Sequence, residues 1–161
     1  MWVPVEISYK NIFFFVVLLL TTTSSFSRDF KGAKRIKFLN YPDCIELKNS
    51  AGTTAVLSHH VGGRVLSYRK NNKESLFIAD NEREWKPDGS KKPSSAGRFD
   101  IGPEYLIPKR EELWSGKWTS TIIGPRSARL ESKESKDAGI RLIREFILDE
   151  MTAWESSKNA R

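Results

Sequence analysis

The segment 95–114, which reads SAGRFDIGPEYLIPKREELW, contains the residue types best suited to bind a polar ligand. Arginine and carboxylate side chains bind paired hydroxyl groups through bidentate hydrogen bonds, and aromatic faces pack against the C–H faces of a sugar ring. Two glycines and two prolines allow the backbone to turn, so that neighbouring side chains can face one cavity. The segment therefore predicts a carbohydrate site made of Arg98, Asp100 and Glu104, with Trp114 as an aromatic platform.

The same segment has a structural interpretation. Acidic and basic residues in a tight turn often pair only with each other. The alternative to a binding site is an ion-paired loop that holds a β-sandwich together, with Trp114 and Trp118 in the core.

Histidine is present at two positions only, His59 and His60. An imidazole can act as an acid or a base near neutral pH. Because adjacent residues of a strand point to opposite faces, at most one of the two can enter a cavity. We assign His60 to the candidate site, and a surface position at a strand end is the alternative. One histidine beside Asp100 and Glu104 does not define a metal site, so no metal and no cofactor are predicted.

Most of the remaining chain consists of short runs in which apolar and polar residues alternate, bounded by glycine, proline, asparagine and aspartate. This spacing is typical of an antiparallel all-β fold. The predicted strands are 35–41, 44–49, 53–59, 64–70, 75–80, 117–125, 128–134 and 140–150. Between them, the polar segment 81–95 predicts a long exposed loop.

The strand predicted at 140–150 is followed only by MTAWESSKNAR, residues 151–161, which has no strand pattern and predicts an irregular tail. Ile140, Leu142, Phe146 and Leu148 share one face of this strand, and Arg144 interrupts that face. A long strand at an open edge invites pairing with another chain. The sequence therefore predicts a possible self-association through the edge strand 140–148.

The N-terminus contains nine consecutive apolar residues, IFFFVVLLL at 12–20, followed by serines and threonines. This length fits the core of a signal peptide and is too short to span a bilayer. Ser25 and Ser27 are small residues at the positions required for cleavage before Arg28. We expect a signal peptide at 1–27, a folded domain at 28–150, and a secreted or periplasmic location. An uncleaved membrane anchor or a buried strand is the alternative.

The composition limits the possible partners. The net charge is +7 and the isoelectric point is about 9.6, a balance that nucleic-acid-binding proteins share. However, the basic residues are scattered among acids and form no block of five, which is typical of a solvated surface. Nucleic acid and membrane, beyond the signal peptide, are not predicted as partners. The single cysteine, Cys44, excludes an intrachain disulfide and is interpreted as a small buried residue.

Five motifs resemble, in the same order, the N-terminal half of a family of exported bacterial proteins of unassigned function. They are HVGGRVLSY (60–68), AGRFDIGPE (96–104), ELWSGKW (112–118), GPRSARLES (124–132) and IRLIREFILDE (140–150). The resemblance implies an antiparallel β-supersandwich of galactose mutarotase type that binds a carbohydrate on a concave sheet. It also makes Arg98 the counterpart of an arginine that contacts the sugar.

In aldose epimerases of that fold, a glutamate base and a histidine acid open and close the sugar ring. Both lie in the later half of the domain, and this chain ends before the expected glutamate, so we expect a truncated form without epimerase activity. The sequence predicts an exported carbohydrate-binding protein whose sugar is unspecified. The alternative is a structural or interaction β-module that associates through its edge strand 140–148.

Overall fold

The computed structural model describes residues 30–86, 97–99, 102 and 110–151. The predicted signal peptide, most of the predicted loop 81–95 and the tail after residue 151 lie outside these ranges. The described chain is all-β, as predicted. One sheet contains β1 (Ala33–Phe38), β2 (Tyr41–Lys48), β3 (Thr53–Ser58), β4 (Arg64–Lys70) and β5 (Lys73–Glu74). The other sheet contains β6 (Thr119–Gly124), β7 (Ser127–Glu131) and β8 (Ile143–Ile147).

In both sheets each strand pairs antiparallel with the strand that follows it in sequence. Asn71 and Asn72 form the turn between β4 and β5, and both have positive φ, as a tight hairpin requires. Pro42 and Asp43 lie between the predicted strands 35–41 and 44–49, but they are part of β2. Proline is tolerated there because the register between β1 and β2 shifts at this point, so that no ladder hydrogen bond from Pro42 is needed.

Two single helical turns, α1 (Asp80–Arg83) and α2 (Glu111–Trp114), complete the regular structure of the described residues. The strand predicted at 75–80 was wrong, since irregular chain leads directly into α1 at the start of the predicted loop. The reason lies in Glu74, whose carboxylate accepts the backbone N–H groups of Ser75 and Leu76, each at 3.0 Å. A strand would need some of these donors for its own ladder. No helix in the described ranges is long and apolar enough to cross a membrane.

The two sheets pack face to face around one apolar core. Its buried side chains come from both sheets and from the residue before β6: Ala33, Ile45, Leu47, Ala55, Leu57, Trp118, Ala128 and Leu130. Trp118 is the largest of them and is 2% exposed. Alternation along the strands explains the core, because every second residue of a strand points to the facing sheet.

A second apolar cluster lies on the outer face of the five-stranded sheet. Tyr41, Cys44, Val56 and Leu66 are fully buried there, and Trp85 covers them with its ring centroid 4.7 Å from that of Tyr41. Burial raises the pKa of the Cys44 thiol to about 11. The segment around α1 therefore has a packing role, since it shields this face of the sheet.

Polar contacts from both sheets hold the chain that follows β8. Asn49, in the β2–β3 turn, donates its side-chain N–H to the carbonyl oxygen of Asp149 at 2.9 Å. Arg126, in the β6–β7 turn, donates to the carbonyl oxygen of Leu148 at 3.2 Å and forms an ion pair with Glu150 at 2.5 Å. The chain after β8 is therefore fixed to both sheets.

Candidate functional site

The predicted platform, Trp114, is the last residue of α2 and is half-buried. The guanidinium carbon of Arg98 lies 5.5 Å from the centre of its ring, within the range of a cation–π interaction. Arg98 itself is exposed. The structure thus brings together two of the predicted site residues that are sixteen positions apart.

Arg144, in β8, adds a second guanidinium that the sequence analysis did not assign to the site. Its guanidinium carbon lies 4.6 Å from the ring centre of Trp118 and 5.3 Å from that of Phe99. It donates to the backbone carbonyl oxygens of Gly63 and, at 2.6 Å, of Phe99. These contacts fix the plane of the guanidinium. The sequence contained one sign of this role, since Arg144 occupies an inward-facing position in an otherwise apolar strand face.

Gly62 and Gly63 allow the loop before β4 to approach both tryptophans closely. Gly62 has φ +67°, and a Cβ there would lie 2.3 Å from the carbonyl oxygen of Trp114. A Cβ on Gly63 would lie 2.4 Å from Cε3 of Trp118. Any side chain would therefore push α2 or Trp118 away. The two glycines therefore set the distance between this loop and the two tryptophans.

These groups surround one small crevice. Its lining among the described residues is Val61, Gly62, Arg64, Arg98, Phe99, Trp114 and Arg144, and we refer to it as the arginine crevice. Its free volume is about 10 Å³, near the lower limit for a single water molecule. The crevice therefore combines arginine donors with aromatic rings, but it has no room for a sugar while Arg98 covers Trp114.

Arg64 is held in place by a buried ion pair with Glu82 of α1. The side chains of Arg64 and Glu82 are 2% and 1% exposed. Tyr41 bridges them, accepting from Arg64 at 3.1 Å and donating to Glu82 at 3.1 Å. Burial raises the pKa of Tyr41 well above its ordinary value, an effect that the positive charge of Arg64 partly opposes. Arg64 is therefore fixed in position where it borders the crevice.

The two histidines lie side by side, with ring centroids 4.2 Å apart, just after β3. The Nε2 atom of His60 is 2.5 Å from the carbonyl oxygen of Pro42, and its ring is near that of Tyr41. His60 is not in the described lining of the crevice. Its predicted contact with a ligand remains a prediction.

Asp100 and Glu104, the predicted carboxylate members of the site, lie outside the described residues. Within the described ranges, no group of three histidine, cysteine, aspartate or glutamate side chains could hold a metal ion. The described chemistry of the site is therefore that of arginines and aromatic rings.

A larger cavity of about 510 Å³ lies at the open edge of β1, away from the arginine crevice. The aromatic ring in its described lining is Phe30, and the ion pair between Lys34 and Glu46, at 3.1 Å, is at its border. Lys34 and Lys48 also line the cavity, and lysine side chains next to an ion pair are typical of a solvated strand edge. This cavity is the larger of the two, but the arginine crevice has the arginine donors and aromatic rings that suit a polar ligand.

Comparisons with protein-family models, with curated proteins and with solved structures gave no match. The resemblance of the five sequence motifs to an exported bacterial family therefore remains a prediction. The function has to be inferred from the arginine crevice and from the exposed edges of the two sheets.

Proposed function

We propose that the protein is an exported carbohydrate-binding protein of galactose mutarotase-like fold, and that the arginine crevice is its sugar site. One observation carries the proposal: the guanidinium of Arg98 lies over the ring of Trp114, beside a second arginine held between aromatic rings. Two antiparallel meanders packed as a sandwich are compatible with the proposed fold.

The two arginines have different parts in the proposed binding. Arg144 is held by the rings of Phe99 and Trp118 and by two carbonyl oxygens, so its planar donors are oriented before a ligand arrives. Arg98 covers the face of Trp114 that a sugar would use. A ligand therefore has to displace Arg98 from Trp114, which accounts for a crevice of only about 10 Å³ before binding. Displaced Arg98 can then donate to sugar hydroxyl groups.

Epimerase activity is not part of the proposal. That reaction needs a glutamate base and a histidine acid at the anomeric carbon, and the described lining of the crevice contains neither. Mutarotation by the purified chain that disappears in Arg98→Ala would contradict this part of the proposal.

The test is a titration of the full chain with galactose, glucose and glucuronate, followed by calorimetry and tryptophan fluorescence. We expect saturable binding by one of them, accompanied by a fluorescence change as Trp114 exchanges Arg98 for a sugar ring. Trp114→Ala and Arg98→Ala should each weaken binding about tenfold or more, because a ring or a bidentate donor is worth roughly 1–2 kcal/mol.

Arg129→Ala is the matched control, since Arg129 is an exposed arginine paired with Glu145 at 2.6 Å on the outer face of the other sheet. It should bind like the wild type. Absence of saturable binding by all three sugars at millimolar concentration would contradict the proposal. So would an equal loss of affinity in Arg129→Ala.

A second candidate function, association through an edge strand, is favoured by β8. Among the described strands β8 pairs with β7 alone, and Ile143 and Ile147 on its outer face are 50% and 71% exposed. The partner we propose is a second copy of the chain. Antiparallel pairing of β8 with itself would place Ile143 of each copy opposite Ile147 of the other, and the central Glu145 is already neutralised by Arg129 of its own chain.

Sedimentation velocity over a hundredfold range of concentration tests this candidate. We expect a dimer that Ile147→Lys converts to a monomer, because the lysine would face the partner's Ile143. Ile123→Lys is the control, since Ile123 is 39% exposed on β6, at the opposite edge of the same sheet. A monomer at every concentration, or dimers in both variants, would rule out pairing through β8. Sugar binding, by contrast, should persist in the monomer.

A further inference from the structure

The two sheets are also joined by a polar junction made of Arg35 in β1, which is exposed, the buried His59 after β3, and the half-buried Ser120 in β6. Arg35 donates to the side-chain oxygen of Ser120 at 2.7 Å and to its carbonyl oxygen at 2.5 Å. The Nδ1 atom of His59 is 2.9 Å from the same hydroxyl oxygen. These three residues, which we call the Arg35 junction, connect strands that are distant in sequence.

The hydrogen bonds of the Arg35 junction favour a neutral His59. A guanidinium can only donate, so the hydroxyl oxygen of Ser120 accepts from Arg35 and its own proton can go to Nδ1 of His59. If Nδ1 takes up a proton, both neighbours become donors to one oxygen, and the Ser120 hydroxyl proton loses its acceptor. The proton also adds a positive charge at a side chain that is 7% exposed, near Arg35.

We propose that the Arg35 junction is an acid-sensitive switch: protonation of His59 releases β6 from β1 and opens the sandwich at this edge. The switch is a property of the packed sheets and does not depend on the proposed sugar site.

The charges around His59 favour its neutral form in the closed state. Burial lowers its pKa to about 4, and the positive charges of His60, Arg35 and Lys117 act in the same direction. Asp43 opposes them, but it is itself paired with Arg35 at 3.2 Å. In an open state with an ordinary pKa of 6.5, His59 binds a proton more readily. Opening is therefore favoured progressively as the pH falls from about 6.5 to 4.

Opening at the Arg35 junction would also affect the arginine crevice, because Trp118 contacts both. The backbone N–H of Trp118 donates to the carbonyl oxygen of His59 at 2.7 Å. The ring of Trp118 in turn supports the guanidinium of Arg144, 4.6 Å away. Acid would thus loosen the wall that orients Arg144, and this consequence for a ligand rests on the proposed function.

Hydrogen exchange of the Trp118 amide in the full chain tests the switch without any ligand. After correction for the intrinsic pH dependence of exchange, we expect its protection to fall about 20-fold between pH 7 and pH 5, the ratio that follows from pKa values of about 4 and 6.5. The Lys48 amide, which donates to Gly32 at 2.8 Å at another place in the five-stranded sheet, should lose less protection because the opening is local.

His59→Asn keeps a side-chain acceptor near the position of Nδ1 but cannot take up a proton, so the fall at Trp118 should disappear. His60→Asn is the matched control, and most of the fall in protection at Trp118 should persist in it. An unchanged fall in His59→Asn, or no fall in the wild type, would overturn the proposal. If His59→Asn does not fold, NMR titration of the wild-type imidazoles decides, since a midpoint for His59 near 6.5 instead of near 4 would overturn it.

Discussion

At the level of single residues, Arg64, Glu82 and Tyr41 form a buried, hydrogen-bonded set. Two opposite charges lie beside an apolar cluster, and their desolvation is offset by their pairing and by the hydrogen bonds of both with Tyr41. The set also attaches α1 to the sheet, because Glu82 is the buried residue of that short helix. Loss of one charge should therefore be costly.

Glu82→Gln tests this expectation. Glutamine keeps an acceptor for Tyr41 but leaves Arg64 charged without its carboxylate, so we expect the free energy of unfolding to fall by about 3 kcal/mol. Glu84→Gln, at an exposed glutamate just after α1, should change it by less than about 0.5 kcal/mol. Urea denaturation measures both values. Equal effects of the two substitutions would contradict the expected cost of removing one partner of the buried pair.

Some residue contacts could be predicted from the sequence and others could not. Arg98 and Trp114 were assigned to one site because they lie in the same turn-rich segment, and they do meet. Arg35 and Ser120 are 85 positions apart, and their contact depends on how the two sheets pack. Neither alternation nor turn residues contain that information.

At the level of elements, period-two alternation predicted seven of the eight strands, because burial of one face dominates these segments. The strand predicted at 140–150 is shorter, since β8 is Ile143–Ile147. Leu142, Phe146 and Leu148 pack against the core, as their shared face predicted, whereas Ile140 lies before β8 and is 45% exposed. The side chain of Arg144 lies on the same inner face, because its guanidinium packs on the ring of Trp118 and donates to the carbonyl oxygen of Gly63. Prediction failed for residues 75–80, where one carboxylate binds backbone donors that a strand would use.

At the level of the whole molecule, acid should weaken the fold in two steps. His59 has a folded pKa of about 4, below its ordinary 6.5, so its contribution is complete above pH 6.5 and is lost as the pH falls to 4. That loss is at most about 3 kcal/mol. Burial tends to raise the pKa of Glu74, but hydrogen bonds from Ser67 and three backbone N–H groups lower it below 4.5. Its contribution is lost further down, as the pH falls below about 4.5.

Urea unfolding at pH 7, 5 and 4 measures this dependence. The first step should be absent in His59→Asn, because asparagine does not titrate, whereas the second should remain. A wild-type unfolding free energy that is constant between pH 7 and 4 would contradict both the sign and the size of the His59 contribution.

The single thiol of the chain has a practical consequence. Cys44 is fully buried beneath the cover that Trp85 provides, and its high pKa keeps it protonated at neutral pH. A thiol-reactive probe can therefore modify it only after that cover has lifted. Labelling rates followed by mass spectrometry would time the detachment of the segment around α1, on the face of the sheet opposite to the Arg35 junction. The labelling rate of Cys44 thus reports how often the outer face of the five-stranded sheet loses its cover.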